Sequence, residues 1–191
     1  MITKELCNAI QKDWNGKVYQ KWEKEWKRFA HLNSVVPVFK GKKVLEIGCN
    51  GGIESLEICN HCASYSGIEP NPDYFVQVKK TMKRAKCKNV NLLNVRLMDL
   101  DVSATDFDTV FTSFVMYHFK DKEVEKFKSE ILPKANLWII YNRAENRETK
   151  NNSYVFENYK NTVQFVKDCG FKMKLEWQKQ KIWYYIKAYR D

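Results

Sequence analysis

The stretch Val44-Leu45-Glu46-Ile47-Gly48-Cys49-Asn50-Gly51-Gly52 decides the fold. Lys43 to Ile47 is a short apolar run with β-branched residues, and it ends in a glycine-rich turn. Such a run predicts a buried strand, and the turn predicts a tight passage into a helix. Ile53 to Cys59 follows as that helix, with Ile53, Leu56, Glu57 and Ile58 on one side. The unit is the opening strand, turn and helix of an open α/β sheet.

Outward from this unit the pattern repeats. Tyr65 to Glu69 is expected as a second strand that ends on an acid before Pro70, and Asp73 to Lys86 as a helix with Tyr74, Phe75, Val78 and Met82 inward. Asn91 to Val95 and Phe107 to Thr112 are the third and fourth strands. A helix from Lys122 to Ile131 stops near Pro133, because proline disfavours helix in the residue before it. Asn136 to Tyr141 is the fifth strand, and Asn158 to Cys169 a helix capped by Gly170. Phe171 to Trp177 and Ile182 to Tyr189 alternate like two paired strands. Parallel neighbours need crossover helices, whereas two strands without one must pair antiparallel or leave the sheet. The expected fold is therefore α/β: a doubly wound, mostly parallel, seven-stranded sheet closed by a C-terminal antiparallel β-hairpin. Tyr19, Trp22, Trp26 and Phe29 recur at spacings of three and four, which predicts an N-terminal helical extension with an aromatic stripe. A chain of 191 residues fits one domain, with residues 1–40 as a helical cap and 41–191 as a Rossmann-like core.

Composition narrows the setting. No apolar run approaches the roughly 18 residues of a membrane span, and the start lacks a secretory pattern. The six cysteines are scattered, unlike a secreted disulfide framework, so a soluble, cytoplasmic protein with reduced thiols is expected. Cys59-Asn60-His61-Cys62 has metal-like spacing without a second ligand cluster, and no metal is expected. The net charge of +10 attracts anions at long range, but it is mostly lysine, for which a solvated helix face is the ordinary explanation.

The order of five strand-helix units followed by a hairpin, together with Glu46-Ile47-Gly48-Cys49-Asn50-Gly51-Gly52, resembles the class I S-adenosylmethionine-dependent methyltransferases from about Lys40 onward. In that family the first strand ends in acidic-x-Gly-x-Gly-x-Gly, and Asn50 stands at a position where a left-handed backbone is tolerated. The resemblance implies S-adenosylmethionine as cofactor, held by Glu46, Gly48, Cys49, Asn50 and Gly52 at the turn. It implies Glu69, followed by Pro70, as the ligand of the ribose hydroxyls. A dinucleotide could use a similar turn. Glu46 and the closing hairpin favour S-adenosylmethionine, since a carboxylate repels a pyrophosphate but not a sulfonium or ammonium. Leu97 and Asp99 are alternatives for the adenine contact after the third strand. Ser113 belongs to the edge that lines the path to the acceptor, and Tyr19 to the cap closing over the cofactor.

His118, in Thr112-Ser113-Phe114-Val115-Met116-Tyr117-His118-Phe119, is the candidate catalytic residue. Its unperturbed pKa suits a general base, although a helix-start histidine can equally orient its loop. Three functions compete: a methyltransferase acting on a small molecule or metabolite, which is preferred here, with Tyr19, Trp22 and the region from Arg143 to Tyr159 as pocket walls; an RNA or protein methyltransferase, motivated by the basic charge; and a binding partner or regulator that keeps the fold without turnover. A DNA acceptor is disfavoured, because neither an Asn/Asp-Pro-Pro-aromatic tetrapeptide nor a Pro-Cys pair follows the fourth strand. No membrane partner is expected, and the oligomeric state is left open.

Overall fold

The computed structural model describes residues 36–143, 156, 158–178 and 183–191. The expected aromatic helix, including Tyr19 and Trp22, lies outside these residues, as does most of the loop after Arg143.

The glycine-rich turn does join a strand to a helix. Strand β1 (Lys43–Ile47) leads into α1 (Ile53–Cys59), β2 (Ser64–Ile68), α2 (Pro72–Arg84) and β3 (Val90–Leu93). The chain then returns to the other side of β1 with β4 (Thr109–Ser113), α3 (Asp121–Lys126) and β5 (Leu137–Arg143). It ends with α4 (Tyr159–Asp168), β6 (Lys172–Gln178) and β7 (Trp183–Tyr189). The sheet order is β3-β2-β1-β4-β5-β7-β6. β1 to β5 pair in parallel, while β7 is antiparallel to both β5 and β6. This is the expected doubly wound sheet with its terminal hairpin, and β7 inserts between β5 and β6.

Local chemistry sets the boundaries. α2 begins one residue earlier than expected because Asn71 Oδ1 accepts the Asp73 and Tyr74 N–H groups, at 2.9 and 3.3 Å, and Pro72 fits the first helical turn. It ends at Arg84, short of the expected Lys86, because Lys86 takes a φ of 53° that no right-handed helix admits. α3 runs on through a wider π turn over Phe127–Ile131 before Pro133 stops it. Asn158 Oδ1 caps α4 by accepting the Asn161 N–H, and Gly170, with φ 76°, ends it.

The sheet buries both faces. One layer packs Val44, Phe111 and Ile139 against Leu56 and Ile58 of α1 and Val78 and Met82 of α2. The other packs Leu45, Ile47 and Val110 against Val124 and Phe127 on the α3 side and Phe165 of α4. Trp138 is the pivot of this second layer. It is fully buried, lies edge-on to Phe127, Phe165 and Phe171, and donates its indole N–H to Thr112 Oγ1 at 3.0 Å. Each such aromatic pair adds about 0.5–1.5 kcal/mol beyond its buried area. Trp138→Ala is expected to lower the free energy of unfolding by about 3–5 kcal/mol in urea denaturation.

Candidate functional site

Because β1 to β5 are parallel, their C-terminal ends share one edge of the sheet. The order of the strands reverses between β1 and β4, and crevices in open α/β sheets form at this switch point. The Gly48–Gly52 turn stands on one side of it, Ser113 on the other, and Glu69 beside the turn.

The turn itself is wound through left-handed positions, with φ of 74° at Gly48, 47° at Asn50 and 83° at Gly52. Asparagine tolerates that region better than most residues. The N–H groups of Gly48 and Cys49 both donate to the Ile68 carbonyl, at 2.9 and 3.0 Å, which pins the turn to the end of β2. Cys49 is buried, and burial pushes its thiol well above the usual range. The glycines answer to packing as well as to φ. A Cβ at Gly48 would lie 2.7 Å from Val115 Cγ2, and one at Gly52 would lie 2.5 Å from Val78 Cγ2. The loop after β4 and the helix α2 therefore close directly onto the turn.

Glu69 is the best-defined polar group of the crevice. Its Oε2 accepts the Asn50 N–H and its Oε1 the Asn71 N–H, both at 2.9 Å. The backbone is held in turn by Glu69 N–H donating to Leu93 O at 3.1 Å and by Asn94 Nδ2 donating to Glu69 O at 2.7 Å. Burial raises the Glu69 pKa, and the two backbone donors oppose the rise. Each carboxylate oxygen has a second lone pair, so an oriented pair of acceptors faces any vicinal diol at this point. Pro70 is exposed beside it.

Glu46 has different surroundings from those its sequence position suggested. Its side chain lies under the turn, almost fully buried, where Oε2 accepts the Tyr65 hydroxyl at 2.6 Å and the Ser55 hydroxyl at 2.7 Å. Tyr65 reaches it by lying along β2 over Gly67, where a Cβ would stand 2.6 Å from the phenol oxygen. Desolvation pushes the Glu46 carboxyl up to about 8, against the two hydroxyl donors. Near neutral pH the group is mostly protonated, so it is a brace between β1, β2 and α1 in the free protein rather than a standing charge.

Ser113, at the end of β4, is buried, and its Oγ has no hydrogen-bond partner among the described residues. A buried hydroxyl left in this state is costly, so it marks a point where a polar ligand atom would be accommodated. After β3, Leu97 is buried in the core while Asp99 is exposed. The short 3-10 turn Leu97–Asp99 thus brings an apolar wall and an exposed carboxylate to the same loop. His118 is exposed at the end of the 3-10 turn Met116–His118, its ring 4.2 Å from that of Tyr117. Tyr19 lies outside the described residues. Among the described residues, no three His, Cys, Asp or Glu side chains gather as a metal site.

The diol acceptors of Glu69, the left-handed turn beside them and the orphan Ser113 hydroxyl fit an adenosine-bearing cofactor. Tyr65, Ser55, Val78, Val115 and Asn94 support that geometry without any local sequence signal. Their contacts depend on strands and loops far apart in the chain.

The buried carboxyl makes the stability of the fold depend on pH. Below pH about 4.5 both folded and unfolded chains hold the Glu46 proton; between about 4.5 and 8 only the folded chain does, so stability falls as pH rises through this window. Glu46→Gln, which cannot ionise, is expected to remove that part of the slope when unfolding free energies are compared across the window.

Comparisons with known proteins agree with this fold. Residues 44–133 match a family described as a methyltransferase domain. A tRNA U34 carboxymethyltransferase of Hahella chejuensis is 29% identical over 119 residues, covering 61% of this chain and 36% of its own length. The chain spans about a third to two fifths of the length of the first curated relatives it matches. Among solved structures, the PH0226 protein of Pyrococcus horikoshii OT3 superposes with a TM-score of 0.70 at 15% identity, covering 91% of this chain and 93% of that one. Magnesium protoporphyrin IX methyltransferase from Synechocystis, solved with bound S-adenosylhomocysteine, gives 0.69 at 15% identity, covering 98% and 94%.

Proposed function

We propose that this chain, whose residues 44–133 match a methyltransferase domain and whose fold is shared with a class I S-adenosylmethionine-dependent methyltransferase, transfers a methyl group from S-adenosylmethionine to RNA. The observation that carries the cofactor assignment is the Glu69 carboxylate, fixed by the Asn50 and Asn71 N–H groups with acceptor capacity to spare.

When bound, S-adenosylmethionine supplies a methyl group activated by its sulfonium. Glu69 would accept the two ribose hydroxyls. The Gly48–Gly52 turn would hold the amino-acid end of the cofactor, and the buried Glu46 carboxyl supports that turn from below. Ser113 would offer its hydroxyl, and Leu97 and Asp99, on the turn after β3, would take the adenine. Methyl transfer is an in-line displacement, so the main task of these residues is to align donor and acceptor and to exclude water. His118, on the exposed rim after β4, takes the proton when the accepting atom carries one.

RNA is preferred to the small molecule expected from sequence on the strength of two facts. Curated relatives carry names that specify tRNA, and this chain has a net charge of +10. The test is transfer of labelled methyl groups from S-adenosylmethionine into a fractionated lysate. Label is expected in RNA, and label confined to small molecules would overturn the acceptor assignment.

For the cofactor, Glu69→Ala is expected to weaken S-adenosylmethionine binding by about 1–3 kcal/mol through loss of charge-assisted hydrogen bonds. Isothermal titration calorimetry on a variant of native circular dichroism measures it. Unchanged affinity would remove Glu69 from the site.

A further inference from the structure

We propose that the outer face of α2 and the loop that follows it form the surface that grips the phosphate backbone of the RNA acceptor; the proposal rests on the acceptor reading above. From Tyr74 to Met98 the chain has no acidic residue and seven Lys or Arg. Of these, Lys79, Lys80, Lys83, Lys86 and Lys88 are exposed, and none forms an ion pair among the described residues.

The contrast with α3 shows that this is not the ordinary dress of a helix in this protein. Residues 121–130 carry four acids among three lysines, and Lys126 there pairs with Glu130. On such a surface the charges compensate one another. On α2 the only acid is Asp73 in the first turn, so the field of the lysines adds.

The basic surface continues around one end of the sheet. Asn89 Nδ2 donates to Ala63 O at 3.2 Å, and the Ala63 N–H donates to Lys42 O at 2.8 Å. Three loops are thereby stitched together, and they carry Lys42 and the exposed Lys40 and Lys88. The helix joins this end to the candidate site, because its N-cap Asn71 donates its N–H to Glu69. Thirteen residues of helix span about 20 Å. A ligand that bridges the lysines and the crevice is therefore a macromolecule, longer than any mononucleotide.

Chemistry selects a polyanion over a bilayer. The apolar residues of α2, Val78 and Met82, are buried against the sheet, and Val76 is the single large apolar side chain that α2 exposes. A membrane-surface helix needs an apolar face free to insert, which α2 lacks. Lysines in rows three and four residues apart, with Asp73 in the first turn the one acid on the helix, instead match a regularly charged backbone.

The test titrates fluorescein-labelled bulk tRNA with the whole 191-residue chain and follows anisotropy between about 50 and 200 mM salt. Lys79→Gln, Lys83→Gln and Lys86→Gln are combined in one variant, and Lys122→Gln with Lys128→Gln on α3 is the control. The α2 variant is expected to bind at least about tenfold more weakly at the lower salt, with a slope of log affinity on log salt shallower by about 2. The α3 control is expected to bind like the parent, and both variants to keep S-adenosylmethionine affinity. Methylation of RNA together with unchanged tRNA affinity in the α2 variant would sink this surface while leaving the acceptor reading intact. A parent protein that binds neither tRNA nor any other RNA and labels only small molecules would overturn both. Binding to phosphatidylserine vesicles without tRNA binding would overturn the choice of partner.

Discussion

A carboxyl group buried beneath a glycine-rich turn organises this protein. Glu46 accepts hydroxyls from Tyr65 and Ser55, and through them β1 is tied to β2 and to the first helix after the turn. An unpartnered carboxyl at that depth would be costly, so the two hydroxyls are a condition of the arrangement and not an embellishment. The same bond explains Gly67, since the Tyr65 ring occupies the volume a side chain there would need. Above this brace the turn is free to wind through left-handed positions and to present Asn50 N–H to Glu69.

The crevice is consequently a product of convergence. Glu69 comes from the end of β2, the turn from β1, Ser113 from β4 and the Leu97–Asp99 turn from the connection after β3. Val115 and Val78 close onto the two glycines, so the turn is walled by the loop after β4 and by the helix that carries the lysines. That contact makes cofactor geometry and the packing of α2 mutually dependent. The aromatic layer around Trp138 serves the other face, holding β4 and β5 against the α3 side and α4 and so keeping the β4 edge in place.

Charge acts on a different scale. Single surface lysines contribute little to stability, but an uncompensated group of them produces a field that reaches a Debye length into solvent. In this chain the group lies along one helix, while α3 is balanced. The composition alone does not distinguish these cases, since both helices are rich in lysine.

The sequence by itself determined the order of elements, the parallel sheet with its closing hairpin, the turn and Glu69, because strand and helix periodicities and glycine placement are local signals. It misplaced some ends by one or two residues, where a cap at Asn71 or a positive φ at Lys86 decided the boundary. The insertion of β7 between β5 and β6, the inward turn of Glu46 and its raised pKa were decided only by tertiary structure. So were the packing partners of Gly48 and Gly52, Val115 and Val78. The physical reason is common to all of these. Burial and contact across the sheet depend on residues distant in the chain, and no local pattern records which side chain will occupy a given space.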